Sequence, residues 1–474
     1  MKNLDKFFKI TESGSTIGTE ITGGLTTFFA MVYIIFVNPS ILAESGMNWS
    51  AVFMATILAS VIGTLIMGLY ANVPYAQSAG MGLNAFFTYV VCGALGFTWQ
   101  EALCLVFICG MINIFITVTN VRKQIIASIP EYLQNAIGGA IGLFIAYIGL
   151  KNGGFLKFTI DPGNYEQFGE GGTIVAPGFA PVPELSALND AVVLVAIFGL
   201  IVTVILMILK VKGAMFIGIV AGVVAGMIAG SISFAGVNFF DMSAVSSLKE
   251  TFGVIFTKAG FPSLFGDPSR LFLAFATIFA FSLSDTFDTI GTFIGTGKVS
   301  GIFDEKDLAS IGEKGGNTKI EKALVSDAVA TSMASILGSS NVTTFVESAA
   351  GIGAGARTGL ASVVVAVMFL LCIPFSGVVG VLPGEVTAPA LIVVGILMSS
   401  SFKDIKWDDI HEAIPAFMTI IITTLAYNIS YGIAAGFIFH CLIKIAKGQV
   451  KDLHPILIVS TVLFVLNFIV LAGI

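Results

Sequence analysis

The sequence predicts an all-α polytopic membrane protein of about fourteen transmembrane spans, built as two inverted seven-span repeats. Three observations carry this. First, the 474 residues are 56% hydrophobic and only 11% charged, where a soluble domain is roughly a quarter charged. Second, apolar stretches long enough to cross a hydrocarbon core of about 30 Å recur along the whole chain. Third, the basic residues divide by side. With a cytoplasmic N-terminus, eighteen of the 23 Lys and Arg fall in cytoplasmic segments, and Lys151, Lys157, Lys249, Lys258 and Arg270 fall outside. That is the positive-inside bias.

The N-terminal MKNLDKFFKITESGST mixes lysines with acids and lacks an apolar core and a cleavage site. It reads as a cytoplasmic lead-in rather than a signal peptide. Spans are expected at 20–42, 51–71, 76–92, 99–119, 129–149, 190–209 and 213–233, which make a first repeat within 1–233. A second repeat within 270–447 holds spans at 270–294, 323–338, 341–355, 358–382, 385–401, 412–429 and 431–447. The C-terminal segment 448–474 contains one more apolar stretch, 455–472, whose topology the sequence leaves open. The outer connections 150–189 and 234–269 and the cytoplasmic loop 298–322 are expected to be solvated connectors.

The two halves echo one another. IPEYLQNAIGGAIGLF (129–144) and LPGEVTAPALIVVGIL (382–397) each place a proline twelve residues before a glycine, Pro130 before Gly142 and Pro383 before Gly395. KGAMFIGIVAG (212–222) and YGIAAGF (431–437) recur at the last span of each half. Seven is odd, so the second copy enters the membrane inverted, as in secondary transporters.

The third span of each half is unusual. VPYAQSAGMGLN (73–84) and GSSNVTTFVE (338–347) are too polar and Gly-rich to start as lipid-facing helices. A short strand followed by a helix is expected in spans 3 and 10. Irregular backbone at membrane depth needs protein or a watery cavity to satisfy its amides, and paired interruptions of this kind point to a binding site.

Acids inside the spans are few. FAFSLSDTFDTIGTF in the eighth span carries Asp285 and Asp288 three apart, on one helical face. The tenth carries Glu347, the ninth Asp327 and the first Glu20, while Asn84 occupies the third-span position that symmetry pairs with Glu347. Such acids are costly in a membrane and usually face a cavity, a partner or an ion path. No Lys or Arg lies near the middle of a span to neutralise them. Asp327 and Glu385 are expected to cap helix N-termini, and Glu347 in part.

Other chemistries find little support. His411, His440 and His454 lie on different elements without HxxxH or HExxH spacing, so no metal site is expected, and His440 reads as a packed histidine. The five cysteines sit in apolar segments without a CxxC pair and read as packing residues. GIGAGARTG and GTFIGTGKV miss the phosphate-loop pattern. No cofactor motif, no catalytic triad and no basic–aromatic patch for nucleic acid is present. An intramembrane aspartyl protease would need a GxGD-like signature, which is missing; the chain is not expected to be an enzyme.

Carboxylates and an amide at two broken helices suit a planar heterocycle with N–H donors. A carboxylate accepts two parallel hydrogen bonds, as from N1–H and the exocyclic amine of guanine. A carboxylate in an apolar site binds a proton more readily and can carry it in with the substrate. Asp288, one turn from Asp285, is placed to exchange that proton.

Four stretches together resemble the AzgA-like purine nucleobase permeases, a branch of the nucleobase–cation symporter group that includes the bacterial uracil permease. They are TEITGGLTTFFAMVYIIFVNPSIL (19–42), AGMGLNAFFTY (79–89), FSLSDTFDTIGTFIG (281–295) and FVESAAGIGAGARTGL (345–360), in family order, and the match runs from about residue 4 to about 472. The resemblance implies two inverted sevens, with a core domain of spans 1–4 and 8–11 moving against a gate domain of spans 5–7 and 12–14. It implies proton-coupled import of adenine, guanine or hypoxanthine across the plasma (inner) membrane by alternating access. Asp285 and Glu347 would contact the purine, Asn84 would lie at the site, and Asp288 with Asp285 would handle the proton. Phe281, Thr344 and Phe345, which flank these positions, complete the expected substrate-binding set. Dimers are common in the fold, so a homodimer is a possible assembly. Asn341 and Val342, and Gln77 and Ser78, depart from the family pattern beside the expected pocket, which leaves the preferred base open. The alternative is a same-fold transporter of uracil, of xanthine or urate, or of an anion. An anion site would want a cation or helix N-termini free of competing carboxylates, and Asp285 and Glu347 oppose that.

Overall fold

The computed structural model describes residues 2–119, 129–160, 166–168, 173–175, 181–211, 213–293, 302–303, 307, 318–426 and 429–471. Most of the 298–322 loop lies outside the described residues.

The first apolar run, Ile17–Ala43, is 27 residues long but breaks at Val32–Tyr33 into α1 (Ile17–Met31) and α2 (Ile34–Ala43). Pro39 inside α2 cannot donate to the carbonyl one turn back, a known cause of helix irregularity. α3 (Trp49–Ile66) starts at the Asn48 cap, whose Oδ1 accepts from Ser50 and Ala51. Then comes β1 (Gln77–Ala79), followed at once by α4 (Met81–Ala85) and a π-helical stretch, Phe86–Ala94. α5 (Trp99–Val118) opens with a Thr98–Glu101 capping box, and α6 (Glu131–Asn152) follows. Two antiparallel pairs follow: β2 (Leu156–Ile160) with β5 (Pro181–Leu185), and β3 (Glu166–Phe168) with β4 (Thr173–Val175). α7 (Ala191–Ile208) and α8 (Ala214–Ala229) close the first half.

The second half holds α9 (Leu271–Thr292), α10 (Lys319–Leu337), β6 (Val342–Thr344), α11 (Ser348–Gly353) and α12 (Gly359–Leu370). α13 (Gly384–Met398), α14 (Ile410–Leu425), α15 (Ile429–Ala446) and α16 (Pro455–Leu471) complete it. Among the described residues seven helices are long and apolar enough to cross a membrane, and six shorter apolar helices accompany them. The chain is a multi-pass membrane protein.

β1 and β6 meet antiparallel, with Gln77 opposite Thr344, Ser78 opposite Thr343 and Ala79 opposite Val342. Backbone bonds extend the pair at both ends, from Gly80 N–H to Asn341 (2.9 Å) and from Phe345 N–H to Ala76 (3.0 Å). Hydroxyls satisfy the outward amides: Thr64 accepts from the Gln77 N–H (2.9 Å), Ser348 accepts from the Ala76 N–H (3.0 Å), and Thr331 donates to the Val342 carbonyl (2.8 Å). The extended backbone is thus fully enclosed by protein, the condition it needs inside an apolar bundle.

Glycines set the closest helix approaches. A Cβ on Gly142 would lie 2.9 Å from the Gly395 carbonyl oxygen, and one on Gly395 2.5 Å from that of Gly142. The two glycines that stand twelve residues after a proline therefore face each other where α6 meets α13.

Two expectations change. Asp327 is not a cap: α10 begins four residues earlier than the apolar run, and Thr318 with Glu321 forms its capping box. This leaves Asp327 in the helix interior. Glu385 and Glu347 do sit at helix starts, the first turn of α13 and the N-cap position of α11, but Glu347 makes no side-chain capping bond among the described residues. The 234–269 connection is not simply solvated. Thr251 and Ile255 are buried, and Thr251 Oγ1 donates to Leu337 (2.9 Å) while Gly253 N–H donates to Ile336 (2.7 Å), covering the end of α10. The C-terminal apolar stretch is helix α16. Its Phe464 packs on Phe437 of α15 (6.0 Å between ring centroids) and on Phe279 of α9 (6.3 Å).

Candidate functional site

Glu347 sits between β6 and α11. Its Oε1 accepts from the Tyr33 hydroxyl at 2.6 Å, 314 residues away in sequence. Tyr33 stands at the α1–α2 break, and its ring lies 6.5 Å from that of Phe345. Asp288 is the second acid here. It faces the Thr343 side chain and lies near Glu347 and Tyr33. Glu347 and Asp288 are part-buried, whereas Phe345 is buried. The structure therefore brings Glu347, Asp288 and Phe345 together, with Tyr33 and Thr343 added.

Asp285, on the same face of α9 as Asp288, is fully buried. Its Oδ2 accepts from Asn113 Nδ2 of α5 at 2.8 Å. Asn113 Oδ1 accepts in turn from the Ser282 hydroxyl. Phe281, one turn before Asp285, packs edge-on against Phe86 at 4.8 Å between centroids, which joins α9 to the helix that follows β1.

Asn84 turns elsewhere. Its Nδ2 donates to Asn38 Oδ1 (3.0 Å), and Asn38 Nδ2 donates to Thr56 (2.7 Å) and Ser339 (3.2 Å). Asn84 Oδ1 is buried without a hydrogen-bond partner among the described residues. A buried acceptor left so costs roughly 1–3 kcal/mol, which singles out this atom of the pair.

Thr344 is likewise engaged. Its hydroxyl donates to Asp327 Oδ1 (2.8 Å), which also accepts from Gln77 Nε2 (3.0 Å), while Asp327 Oδ2 accepts from Thr289 (2.8 Å). One carboxylate in α10 thus ties both strands to α9. Glu20 clamps a different pair of elements. Its oxygens accept from the backbone N–H groups of Arg357 (2.8 Å) and Thr358 (3.2 Å), joining α1 to the start of α12. His440 is buried and pairs through Nδ1 with the Tyr132 hydroxyl at 2.6 Å. No group of three or more His, Cys, Asp or Glu fit to hold a metal is found among the described residues.

The four residues that depart from the family pattern engage the scaffold. Gln77 binds Asp327, Ser78 binds Ser60 (2.6 Å), Asn341 Nδ2 meets Cys109 Sγ (3.4 Å), and Val342 is fully buried.

Sequence reasoning missed Tyr33 and Asn113. Each is a polar side chain in an otherwise apolar stretch of sequence, and that is the signal that could have found them. A cavity of about 300 Å³ opens between α2 and α13, lined by Val37, Ser40, Ile41, Glu44, Asn152 and Thr387 among others. On α2 its lining runs from Val37, one turn past Tyr33, to Glu44 at the helix end.

Two short antiparallel strands lie inside an apolar helical bundle, with acids at the helix that follows one and on the span beside them, an arrangement suited to a membrane transport site. Known proteins agree with this class. The Permease family matches residues 18–435. The guanine/hypoxanthine permease PbuO of Bacillus subtilis is 38% identical over 468 residues, spanning 98% of this chain and 100% of its own. The adenine permease AdeP of Escherichia coli is 36% identical over 466 residues, spanning 98% and 96%. Of solved structures, the transmembrane domain of the cyanobacterial bicarbonate transporter BicA superposes with a TM-score of 0.58 at 15% identity, covering 88% of this chain and 97% of that one; this shows a shared fold. The chain belongs to the Permease family, as its motifs implied, and is a permease rather than an enzyme.

Proposed function

We propose that the chain is a proton-coupled symporter that imports purine nucleobases (adenine, guanine or hypoxanthine) across the plasma membrane, with its N-terminus in the cytoplasm. The observation that carries this is the Glu347 carboxylate, held at 2.6 Å by the Tyr33 hydroxyl at a broken helix, with Asp288 of α9 close by at the Thr343 side chain. One fixed acid can accept a pair of N–H donors from a planar base. A second acid within its field can exchange a proton as the first is occupied. Relatives that match over nearly the full length are named for guanine, hypoxanthine and adenine, which supports a purine over a pyrimidine or an anion.

In this reading Glu347 and Asp285 bind the base, Asn84 offers its unpartnered oxygen, and Phe281 and Phe345 supply apolar walls. Thr344 acts through Asp327, and Asp288 carries the proton. Fourteen spans form two inverted sevens. The core (spans 1–4 and 8–11, with the strands of spans 3 and 10) moves against the gate (spans 5–7 and 12–14). The facing Gly142 and Gly395 suit a pseudo-symmetric gate contact.

The test is uptake of labelled hypoxanthine, guanine, adenine and uracil in a strain without its own nucleobase carriers, with and without a protonophore. Protonophore-sensitive purine uptake that disappears in Glu347→Ala supports the reading. Robust uptake by Glu347→Ala removes the site assignment, and uptake of uracil alone moves the substrate class.

A further inference from the structure

We infer that Asn113 is a positioning residue that sets the plane of the Asp285 carboxylate for the substrate; the inference rests on the reading of Asp285 as a purine ligand. Asn113 lies on α5 and is 6% exposed. Its amide is committed at both ends to one turn of α9, because Ser282 and Asp285 are three residues apart and share a face. Nδ2 donates to Asp285 Oδ2 at 2.8 Å while Oδ1 accepts from the Ser282 hydroxyl. A flipped amide would set its carbonyl oxygen against the carboxylate, so only one orientation satisfies both partners.

The helix that carries Asn113 is packed tightly against α10. Gly110, one turn earlier, lies so close to α10 that a Cβ there would fall 2.7 Å from the Ser332 backbone nitrogen. An aspartate side chain has two torsions free to turn. Binding one oxygen to a seated amide fixes the carboxylate plane, and useful pairing needs that plane within roughly 10–20°. Asn113 itself need not touch the base.

The titratable groups around this contact are Cys109 on α5, Asp288 one turn on in α9, and Asp327 on α10. Cys109 Sγ lies 3.8 Å from Asn113 Nδ2, and its thiol feels the charges of Asp285 and Asp327. Replacing the amide by a carboxylate in their midst sets two acids in contact. Such a pair titrates as a unit and holds one shared proton, which restores a donor to Asp285 only as pH falls.

The experiment measures binding of adenine, guanine and hypoxanthine to the purified full chain and their uptake kinetics, for wild type, Asn113→Leu, Asn113→Asp and Asp285→Asn. Asn113→Leu is expected to raise Kd and KM about tenfold while the maximal rate per surface copy stays within about threefold, since one charge-assisted hydrogen bond is lost. For Asn113→Asp, the affinity relative to wild type is expected to recover at least about fivefold between pH 7.5 and 5.5. An Asn113→Leu protein that binds within twofold of wild type, or an Asn113→Asp ratio flat with pH, overturns the inference. If Asn113→Leu does not fold, the pH ratio of the nearly isosteric Asn113→Asp decides. If Asp285→Asn binds like wild type, the ligand reading of Asp285 fails. If Asp285→Asn loses binding and Asn113→Leu does not, the positioning role alone fails.

Discussion

Tyr33→Phe removes one atom from the site and leaves the ring. The hydroxyl donates to Glu347 Oε1 at 2.6 Å, the length of a charge-assisted O–H···O⁻ bond. Bonds to charged groups contribute about 1.5–3 kcal/mol net, and each 1.4 kcal/mol is tenfold in an equilibrium constant. Loss of the donor should therefore weaken purine affinity about 10- to 100-fold, through a carboxylate no longer fixed. The Phe ring keeps the packing that Tyr33 makes on Phe345, so the melting temperature and surface abundance should change little. The assay is concentration-dependent uptake normalised to surface copies, beside Glu347→Ala. An unchanged KM in Tyr33→Phe, with Glu347→Ala inactive, would show that Glu347 works without this orienting bond and that the hydroxyl is incidental to binding.

Two further predictions concern the scaffold. Asp327→Ala leaves the donors of Gln77, Thr344 and Thr289 without their acceptor, at about 1–3 kcal/mol for each group left unsatisfied; purified protein should melt several degrees lower and monodisperse yield should fall, and a wild-type melting curve would contradict the keystone role. Gly395→Val puts a side chain where a Cβ already lies 2.5 Å from the Gly142 carbonyl oxygen. Overpacking costs about 1–3 kcal/mol, so a lower melting temperature is expected, and unchanged stability and transport would mean that α6 and α13 do not pack this closely.

Much of the fold is legible in the sequence, for identifiable reasons. Apolar length and the low charge content announce a membrane chain before any packing is known. The polar interruptions at 73–84 and 338–347 contain the segments where β1 and β6 pair, because a stretch that cannot face lipid must be enclosed. The partners of the acids are not legible. Tyr33 meets Glu347, and Asn113 meets Asp285, across 314 and 172 residues; only the bundle's geometry makes those pairs. Asp327 looks like a cap only because hydropathy starts the ninth span at 323. The polar turn from Lys319 is already helical and capped by Thr318, so the acid lies inside. The family resemblance places Asn84 at the substrate site, yet its nitrogen is committed to Asn38 and only its oxygen is left over among the described residues.

If a purine and a proton move together through a site built on Glu347 and Asp288, the two fluxes must appear together in a purified system. Liposomes that hold the protein and a pH-sensitive dye, with no ion gradient imposed and a purine added outside, show this in one trace. Acidification of the lumen is expected on addition of adenine, guanine or hypoxanthine, and none with uracil or in Asp288→Asn. Purine accumulation with no proton movement, or equal proton movement in Asp288→Asn, would contradict coupling through this pair of acids.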